Sequence, residues 1–168
     1  MRALSVGMLA IGLALSGCGL RPLYATGDAK SEVRQALATV AVTPIDEQSG
    51  WLLRNALVDR LAPPGDGAEP VYRLDVRLDD DITRFGLRRD AGATRERRTV
   101  RARYQLVEIA TGETLVDASA GFDAGIDITS SPYATVAAEQ SALERLSAEV
   151  ADDIVARLAL YFRGRPAQ

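Results

Sequence analysis

Three segments between residues 72 and 124 alternate apolar with polar or small residues, and this alternation limits the possible fold more than any other feature. The segments are residues 72–79, 99–106 and 116–124. In the first of them, Tyr72, Leu74 and Val76 share one face, with arginine and aspartate residues on the other. A period of two is typical of β-strands that bury one face. The turn sequence Thr-Gly-Glu at 111–113 predicts that the second and third segments form an antiparallel hairpin.

The remaining elements are predicted from shorter signals. Alternating β-branched residues at 39–43, ended by Pro44, predict a short first strand. A helix should follow, because leucines recur at the i, i+4 and i+8 positions of an amphipathic helix. These leucines are Leu53, Leu57 and Leu61. A second and longer helix is predicted to run from the cap at Ser131 and Pro132 to Phe162.

The order of these elements, β-α-β-β-β-α, predicts the fold class. It is typical of an α+β sandwich in which a four-stranded mixed or antiparallel sheet carries both helices on one face. The 168 residues are 47% hydrophobic and 26% charged, which is ordinary for a folded protein, and their number suits one compact domain. We assign this domain to residues 39–168. Residues 18–38 lack a long apolar period and are interpreted as a tether.

The amino terminus has the pattern of a secretory signal followed by a lipid-attachment site. Arg2 precedes an apolar run at 3–15 that is too short to span a bilayer comfortably. The run leads through Ser-Gly to Cys18, which is the single cysteine of the chain. This ending resembles a lipobox, in which the signal peptide is cut immediately before the cysteine. We therefore predict that residues 1–17 are removed and that Cys18 carries a diacylglycerol and an N-linked acyl chain.

The absence of histidine narrows the possible chemistry. Histidine is the usual general base near neutral pH and the commonest nitrogen ligand for metals, so serine–histidine catalysis and zinc sites are excluded. A hydrolase would have to work with carboxylates alone. We expect no enzymatic activity, no metal and no cofactor other than the lipid. Removing residues 1–17, which include Arg2 and no acidic residue, leaves 19 basic and 23 acidic residues. The resulting net charge of −4 argues against binding to nucleic acid.

A run of arginines is the strongest candidate binding feature. Residues 84–103 contain eight arginines and two acidic residues, for a local net charge of +6. Guanidinium groups match phosphate oxygens in pairs, so the polar part of this run, 84–98, is predicted to be a loop with an anion site. The predicted site residues are Arg88, Arg89, Arg95, Arg97 and Arg98. Arg101 and Arg103, on the predicted third strand, are expected to support the site.

Other interpretations of the charged segments remain open. The same arginines could form a solvated loop or a surface that docks on an acidic partner. The acidic runs at 79–81 and 152–153 are predicted to be solvated surface. The reason is that neighbouring side chains point in different directions on both a strand and a helix.

The segment around the cysteine reads Gly-Cys-Gly-Leu-Arg-Pro-Leu-Tyr at 17–24 and resembles the opening of the LptE family of lipopolysaccharide-assembly lipoproteins. Leu20 stands where many members of that family carry an aromatic residue. The predicted element order, the alanine-rich last helix and the chain length also agree with the family. The resemblance implies a non-catalytic protein that lies in the lumen of the outer-membrane β-barrel LptD, plugs it and helps it assemble. It also implies contact with lipopolysaccharide.

The residue after the cysteine indicates a destination in the cell envelope. Gly19 occupies the position where lipoproteins kept in the inner membrane typically carry aspartate, so a lipid anchor in the outer membrane, facing the periplasm, is expected. Two alternatives remain open. One is an outer-membrane lipoprotein that activates a peptidoglycan synthase or serves a lipid ABC transporter, and the other is a carboxylate-only hydrolase. Co-purification would distinguish them, because a plug should travel with a barrel protein.

Overall fold

The computed structural model describes residues 28–61, 69–87 and 93–164. In this part of the chain three helices and four strands follow one another in the order α-β-α-β-β-β-α. The helices are α1 (Asp28–Ala38), α2 (Glu47–Leu61) and α3 (Pro132–Gly164). The strands are β1 (Val40–Val42), β2 (Tyr72–Leu87), β3 (Ala93–Glu108) and β4 (Thr114–Asp127). From β1 onward the order is the predicted one, and the α+β class is confirmed.

The four strands form one mixed sheet in the order β1-β2-β3-β4. β1 runs parallel to β2, as a crossover through α2 allows, and the other neighbouring strands are antiparallel. Along β2 and β3, Leu74 lies opposite Leu106 and Leu78 lies opposite Ala102. The turn after β3 contains Gly112, whose φ of 72° lies in the left-handed region that glycine adopts without strain. The predicted hairpin of β3 and β4 is therefore confirmed.

The core lies between one face of the sheet and the helices. Apolar rows from β3, α3 and α2 meet there, and their members are completely buried. The rows are Val100, Ala102, Tyr104 and Leu106 from β3, Val150, Ile154 and Leu158 from α3, and Leu53 and Leu57 from α2. At the surface, Arg60 on α2 donates to both carboxylate oxygens of Asp152 on α3, at 2.6 and 3.1 Å. Asp152, predicted to be simply solvated, therefore joins the two helices.

The helix α1 corrects the interpretation of residues 18–38 as a tether. Residues 28–38 are helical, and Leu37 is buried in the same core as the sheet. Val33 and Ala36 are partly buried against that core. These three apolar residues are too few to give a recognisable helical period in the sequence. The helix is therefore stabilised mainly by packing against the core. The remainder of the predicted tether, 18–27, lies outside the described residues.

The long strands β2 and β3 correct the prediction of a loop at 84–98. β2 continues to Leu87 and β3 begins at Ala93, so the arginines at 95, 97 and 98 lie on a strand. Thr83 lies opposite Arg97, and Arg84 opposite Glu96. Cross-strand pairs of polar and oppositely charged side chains stabilise a ladder without any apolar alternation. Residues 88–92 lie outside the described part of the chain.

Candidate anion-binding face

Alternation along β3 places the predicted anion-site residues on two faces of the sheet. Even-numbered residues of this strand point toward the helices. Odd-numbered residues form the open face, which we define as the side of the sheet away from the helices. Arg95 and Arg97 lie on the open face, whereas Arg98 lies beneath α3. Arg88 and Arg89 are outside the described residues. Of the five predicted residues, the structure therefore brings two together on the open face.

Arg98 belongs to a largely buried network that links three elements. Its Nε and Nη2 atoms donate to the two carboxylate oxygens of Asp80 on β2, at 2.8 and 2.6 Å. Its Nη1 atom donates to the main-chain oxygen of Glu139 on α3, at 2.9 Å. The side chains of Arg98 and Asp80 are 12% and 11% exposed, so a dissolved anion has little access to them. We assign Arg98 to holding α3 on the sheet rather than to ligand binding.

Arg95 and Arg97 lie on the open face near the start of β3, and both form weak ion pairs. Arg95 Nε is 3.0 Å from Asp127 Oδ1, and Arg97 Nε is 3.7 Å from Asp123 Oδ2. Ion pairs between side chains this exposed contribute at most about 1 kcal/mol each, so a ligand anion could replace the aspartate. The Arg97 guanidinium also lies 5.6 Å from the centre of the Phe85 ring, which is itself partly exposed. This end of the face therefore offers both cations and an apolar surface.

Three further arginines lie together in the middle of the open face. Arg77 on β2 lies directly opposite Arg103 on β3, and Arg101 is on the same face of β3 two residues away. All three line a solvent-open depression of about 520 Å³. Like charges opposite each other on neighbouring strands are destabilising, so an anion bound between them would relieve the repulsion. We call Arg77, Arg101 and Arg103 the arginine cluster.

The three arginines of the cluster differ in their hydrogen bonding within the described protein. Arg103 donates to both oxygens of Asp117, at 3.2 and 2.9 Å, and this pairing, with a second hydrogen bond from Gln105, holds the pKa of Asp117 below its usual range. Arg77 and Arg101 form no hydrogen bond or ion pair among the described residues, although Asp79 lies directly opposite Arg101 and lines the same depression. Two forked donors in one depression suit the oxygens of a phosphate group.

Gly121 forms part of the floor of this depression. This glycine is on β4 and lies opposite Arg101 of β3. A Cβ atom at this position would lie 2.9 Å from Cγ of Arg101 and 3.2 Å from the main-chain oxygen of Val100. Both distances are shorter than ordinary contacts, so the stem of Arg101 rests across the glycine because no side chain is there. The missing side chain therefore helps to determine where the Arg101 guanidinium lies.

The central part of this site is not predicted by the sequence pattern. Arg77 was interpreted as an ordinary exposed position on a strand, and Arg101 and Arg103 as support for a loop. Strand alternation alone places Arg101 and Arg103 on one face. That Arg77 joins them depends on the register between β2 and β3, which no local pattern encodes.

These features define a class of protein: an α+β domain with one face of its sheet covered by helices and the other face open and charged. Within the described ranges, no group of three or more Asp, Glu, Cys or His side chains is arranged to hold a metal ion. No helix of those ranges is long and apolar enough to cross a membrane.

Comparison with known families identifies the domain. The model of the LptE family, described as lipopolysaccharide-assembly, matches residues 37–158. The chain therefore belongs to the LptE family, which confirms the predicted family from a part of the chain other than residues 17–24. The comparison with curated proteins found no match.

Solved structures share the fold. A protein from Caulobacter crescentus CB15 that is described as a lipoprotein superposes with a TM-score of 0.67 at 24% identity, covering 81% of this chain and 99% of the other. Rare lipoprotein B from Shewanella oneidensis superposes with a TM-score of 0.55 at 11% identity, covering 72% and 93%. Lipoprotein B from Nitrosomonas europaea gives 0.56 at 10% identity, covering 74% and 84%. At these identities the likeness establishes the fold alone.

Proposed function

We propose that this chain is a non-catalytic outer-membrane lipoprotein that plugs and helps assemble an LptD-like β-barrel and assists the passage of lipopolysaccharide to the outer leaflet. Membership of the LptE family supports the assembly role. The lipobox at Cys18 and the glycine after it support a lipid anchor in the outer membrane. The domain supplies binding surfaces rather than reacting groups, and the lipid is its one covalent addition.

The observation that carries the lipopolysaccharide part of the proposal is the arginine cluster. Arg77 and Arg101 line the same depression as Arg103 and form no hydrogen bond or ion pair among the described residues, and the one carboxylate in this lining is Asp79, opposite Arg101. Lipopolysaccharide carries phosphate groups and acidic sugars, which are suitable acceptors for guanidinium forks. Arg95, Arg97 and the Phe85 ring extend the same face and could contact more of a large amphipathic ligand. The ligand surface is therefore the open face rather than the tip of a loop.

Reversing two charges of the arginine cluster tests this assignment. We expect Arg77→Glu with Arg101→Glu to weaken binding of residues 19–168 to purified lipopolysaccharide at least tenfold, or about 1.4 kcal/mol. Charge-assisted hydrogen bonds contribute roughly 1.5 to 3 kcal/mol each when they are partly desolvated, so a tenfold loss is a conservative expectation for two arginines. Binding should be measured at low and moderate salt, because screening must weaken an electrostatic contact.

Two control variants carry the same change in charge. Arg145→Glu with Arg163→Glu alters exposed positions on α3, away from the open face, and should leave binding nearly unchanged. Arg88→Glu with Arg89→Glu tests two residues between β2 and β3 that the sequence predicts to be part of the site. If the α3 variant loses as much binding as the cluster variant, the contact is an effect of net charge. If the variant of Arg88 and Arg89 alone loses binding, these two residues contact the ligand and the assignment to the open face is wrong.

The partner of the domain is tested by co-purification. Cross-linking in intact cells, followed by capture of this protein and mass spectrometry, should recover an outer-membrane barrel of the LptD family in near-stoichiometric amount. Recovery of an inner-membrane peptidoglycan synthase or of an ABC transporter instead would contradict the plug proposal. A cluster variant that binds lipopolysaccharide normally but no longer recovers the barrel would show that the open face contacts the barrel wall.

A further inference from the structure

A buried glutamate lies where the amino-terminal part of α3 meets the sheet. Glu96 on β3 is 1% exposed and faces the helices. Its Oε1 atom accepts a hydrogen bond from Arg84 Nε at 2.7 Å. Its Oε2 atom is also buried, and no donor of the described protein reaches it. Arg98, two residues along the same face of β3, donates to the main-chain oxygen of Glu139 on α3, so the Glu139 side chain lies near Glu96 and interacts with it. Two ionised carboxylates repel each other and neither can donate a hydrogen bond, so a proton on Glu139 favours this contact.

The charges around this contact do not balance without that proton. β2 contributes Asp80 and Arg84, β3 contributes Glu96 and Arg98, and α3 contributes Glu139. With all five ionised, three carboxylates face two guanidinium groups and the net charge is −1. β4 adds no charge on this side within the described residues, because Ala124 and Ile126 lie opposite Arg98 and Glu96. One bound proton makes the group neutral, which favours its burial.

The segment of α3 that carries Glu139 has little other packing. Between Pro132 and Ser141 no side chain of α3 is fully buried, and the buried residues of this helix begin at Ala142. Tyr133 and Val136 are 89% and 62% exposed. The polar contacts made by Arg98 and Glu96 are therefore a major part of what holds this segment on the sheet.

We propose that the Glu139 carboxyl keeps a proton and donates it toward the buried Oε2 atom of Glu96, and that this contact closes the amino-terminal segment of α3 onto the sheet. The pKa of Glu139 agrees with this arrangement: removal from water raises it above its usual range, and the hydrogen bond with Glu96 raises it further. A group with a raised pKa in the folded state stabilises that state most at pH values below its ordinary pKa. The contribution disappears as the pH rises through the raised value. Rising pH therefore loosens this segment, and mild acid closes it.

The absence of histidine makes the effect easy to isolate. The chain contains no imidazole, which is the group that ordinarily titrates between the carboxylates and neutrality. A pH-dependent change confined to the start of α3 must therefore come from carboxyl groups there. The device belongs to the domain itself and requires neither lipopolysaccharide nor a barrel, so its failure would not bear on the proposed function.

The test uses residues 19–168, which contain the whole described domain, from about pH 4 to about pH 8. In carbon-13 NMR, the Glu139 carboxyl should titrate above the ordinary glutamate range and should return toward that range in Glu96→Gln. Glu139→Gln supplies a permanent amide donor to Glu96. It should raise the thermal midpoint near neutral pH by about 2 to 4 °C, the shift that a 1 kcal/mol gain produces in a domain of this size. It should also slow amide exchange at 132–141 and remove its pH dependence.

Glu144→Gln is the matched control, because Glu144 is an exposed glutamate on the same helix whose side chain accepts a hydrogen bond from Gln140. This variant should keep the wild-type pH profile. The proposal is overturned if Glu139 titrates in the ordinary range in both the wild type and Glu96→Gln. It is equally overturned if Glu139→Gln and Glu144→Gln give the same midpoints and the same exchange rates across the pH range.

Discussion

Replacing Ile154 with aspartate should lower the free energy of unfolding by at least about 4 kcal/mol, which is a large part of the stability of an ordinary domain. Ile154 is completely buried on the face of α3 that packs against the sheet. The substitution removes an apolar side chain from a close-packed core and leaves either an unpaired carboxylate or a protonated acid there. Urea denaturation followed by circular dichroism would measure the change, provided that the slope of the transition is unchanged.

Two control variants show whether the loss of stability comes from placing a charge in the core. Leu160→Asp introduces the same carboxylate on the same helix at a position that is 63% exposed, and it should change stability by no more than about 0.5 kcal/mol. Ile154→Val removes one methylene without adding charge and should cost about 0.5 to 1.5 kcal/mol. An unchanged midpoint for Ile154→Asp would mean that this face of α3 is accessible in solution, contrary to the core described above.

Replacing Cys18 with serine should abolish labelling with palmitate completely and leave the signal segment attached. The thiol is the acceptor of the diacylglycerol in the predicted lipobox, and a hydroxyl group does not replace it. Because Cys18 is the single cysteine, any label on the wild type reports this residue or its amino group. Each buried methylene contributes roughly 0.8 kcal/mol, so two or three acyl chains hold the protein on the membrane almost permanently, and the variant should lose that anchor.

Gly19→Asp tests the predicted destination of the protein separately from its lipid attachment. It leaves the acceptor thiol in place, so labelling should stay at the wild-type level. The protein should instead sediment with the inner membrane on a density gradient, because aspartate after the cysteine is the retention signal of inner-membrane lipoproteins. Equal labelling of wild type and Cys18→Ser would contradict the lipid attachment. Unchanged sedimentation of Gly19→Asp would contradict the role given to the residue after the cysteine.

Local periodicity predicted which residues of the strands and helices face the core. Leu74, Val100 and Leu106 were assigned to inner faces by a period of two, and Leu53 and Leu57 by a helical period, and all five are completely buried. This information is available in sequence because burying one face of an element requires an apolar residue at each turn or every second position. The α+β class follows from the order of those elements.

Local periodicity could not predict elements whose stability comes from neighbours. The extensions of β2 beyond Asp81 and of β3 before Thr99 carry no apolar alternation, and pairing between the strands keeps them extended. The helix α1 is similar, because its three inward residues form a useful face only when the core is present to receive them. For such segments the decisive contacts are distant in sequence.

By itself, the sequence determined the signal and cysteine pattern, the family resemblance, the inner faces of the elements and the excess of arginine near the third strand. The tertiary structure decided what each arginine does. Arg97 and Arg98 are adjacent and chemically identical, yet one lies exposed near Phe85 and the other is held between Asp80 and α3. Strand alternation sends neighbours to opposite faces, and the register between strands then selects their partners. Register depends on the pairing of whole strands, so only the folded sheet shows that Arg77 joins Arg101 and Arg103 at one site.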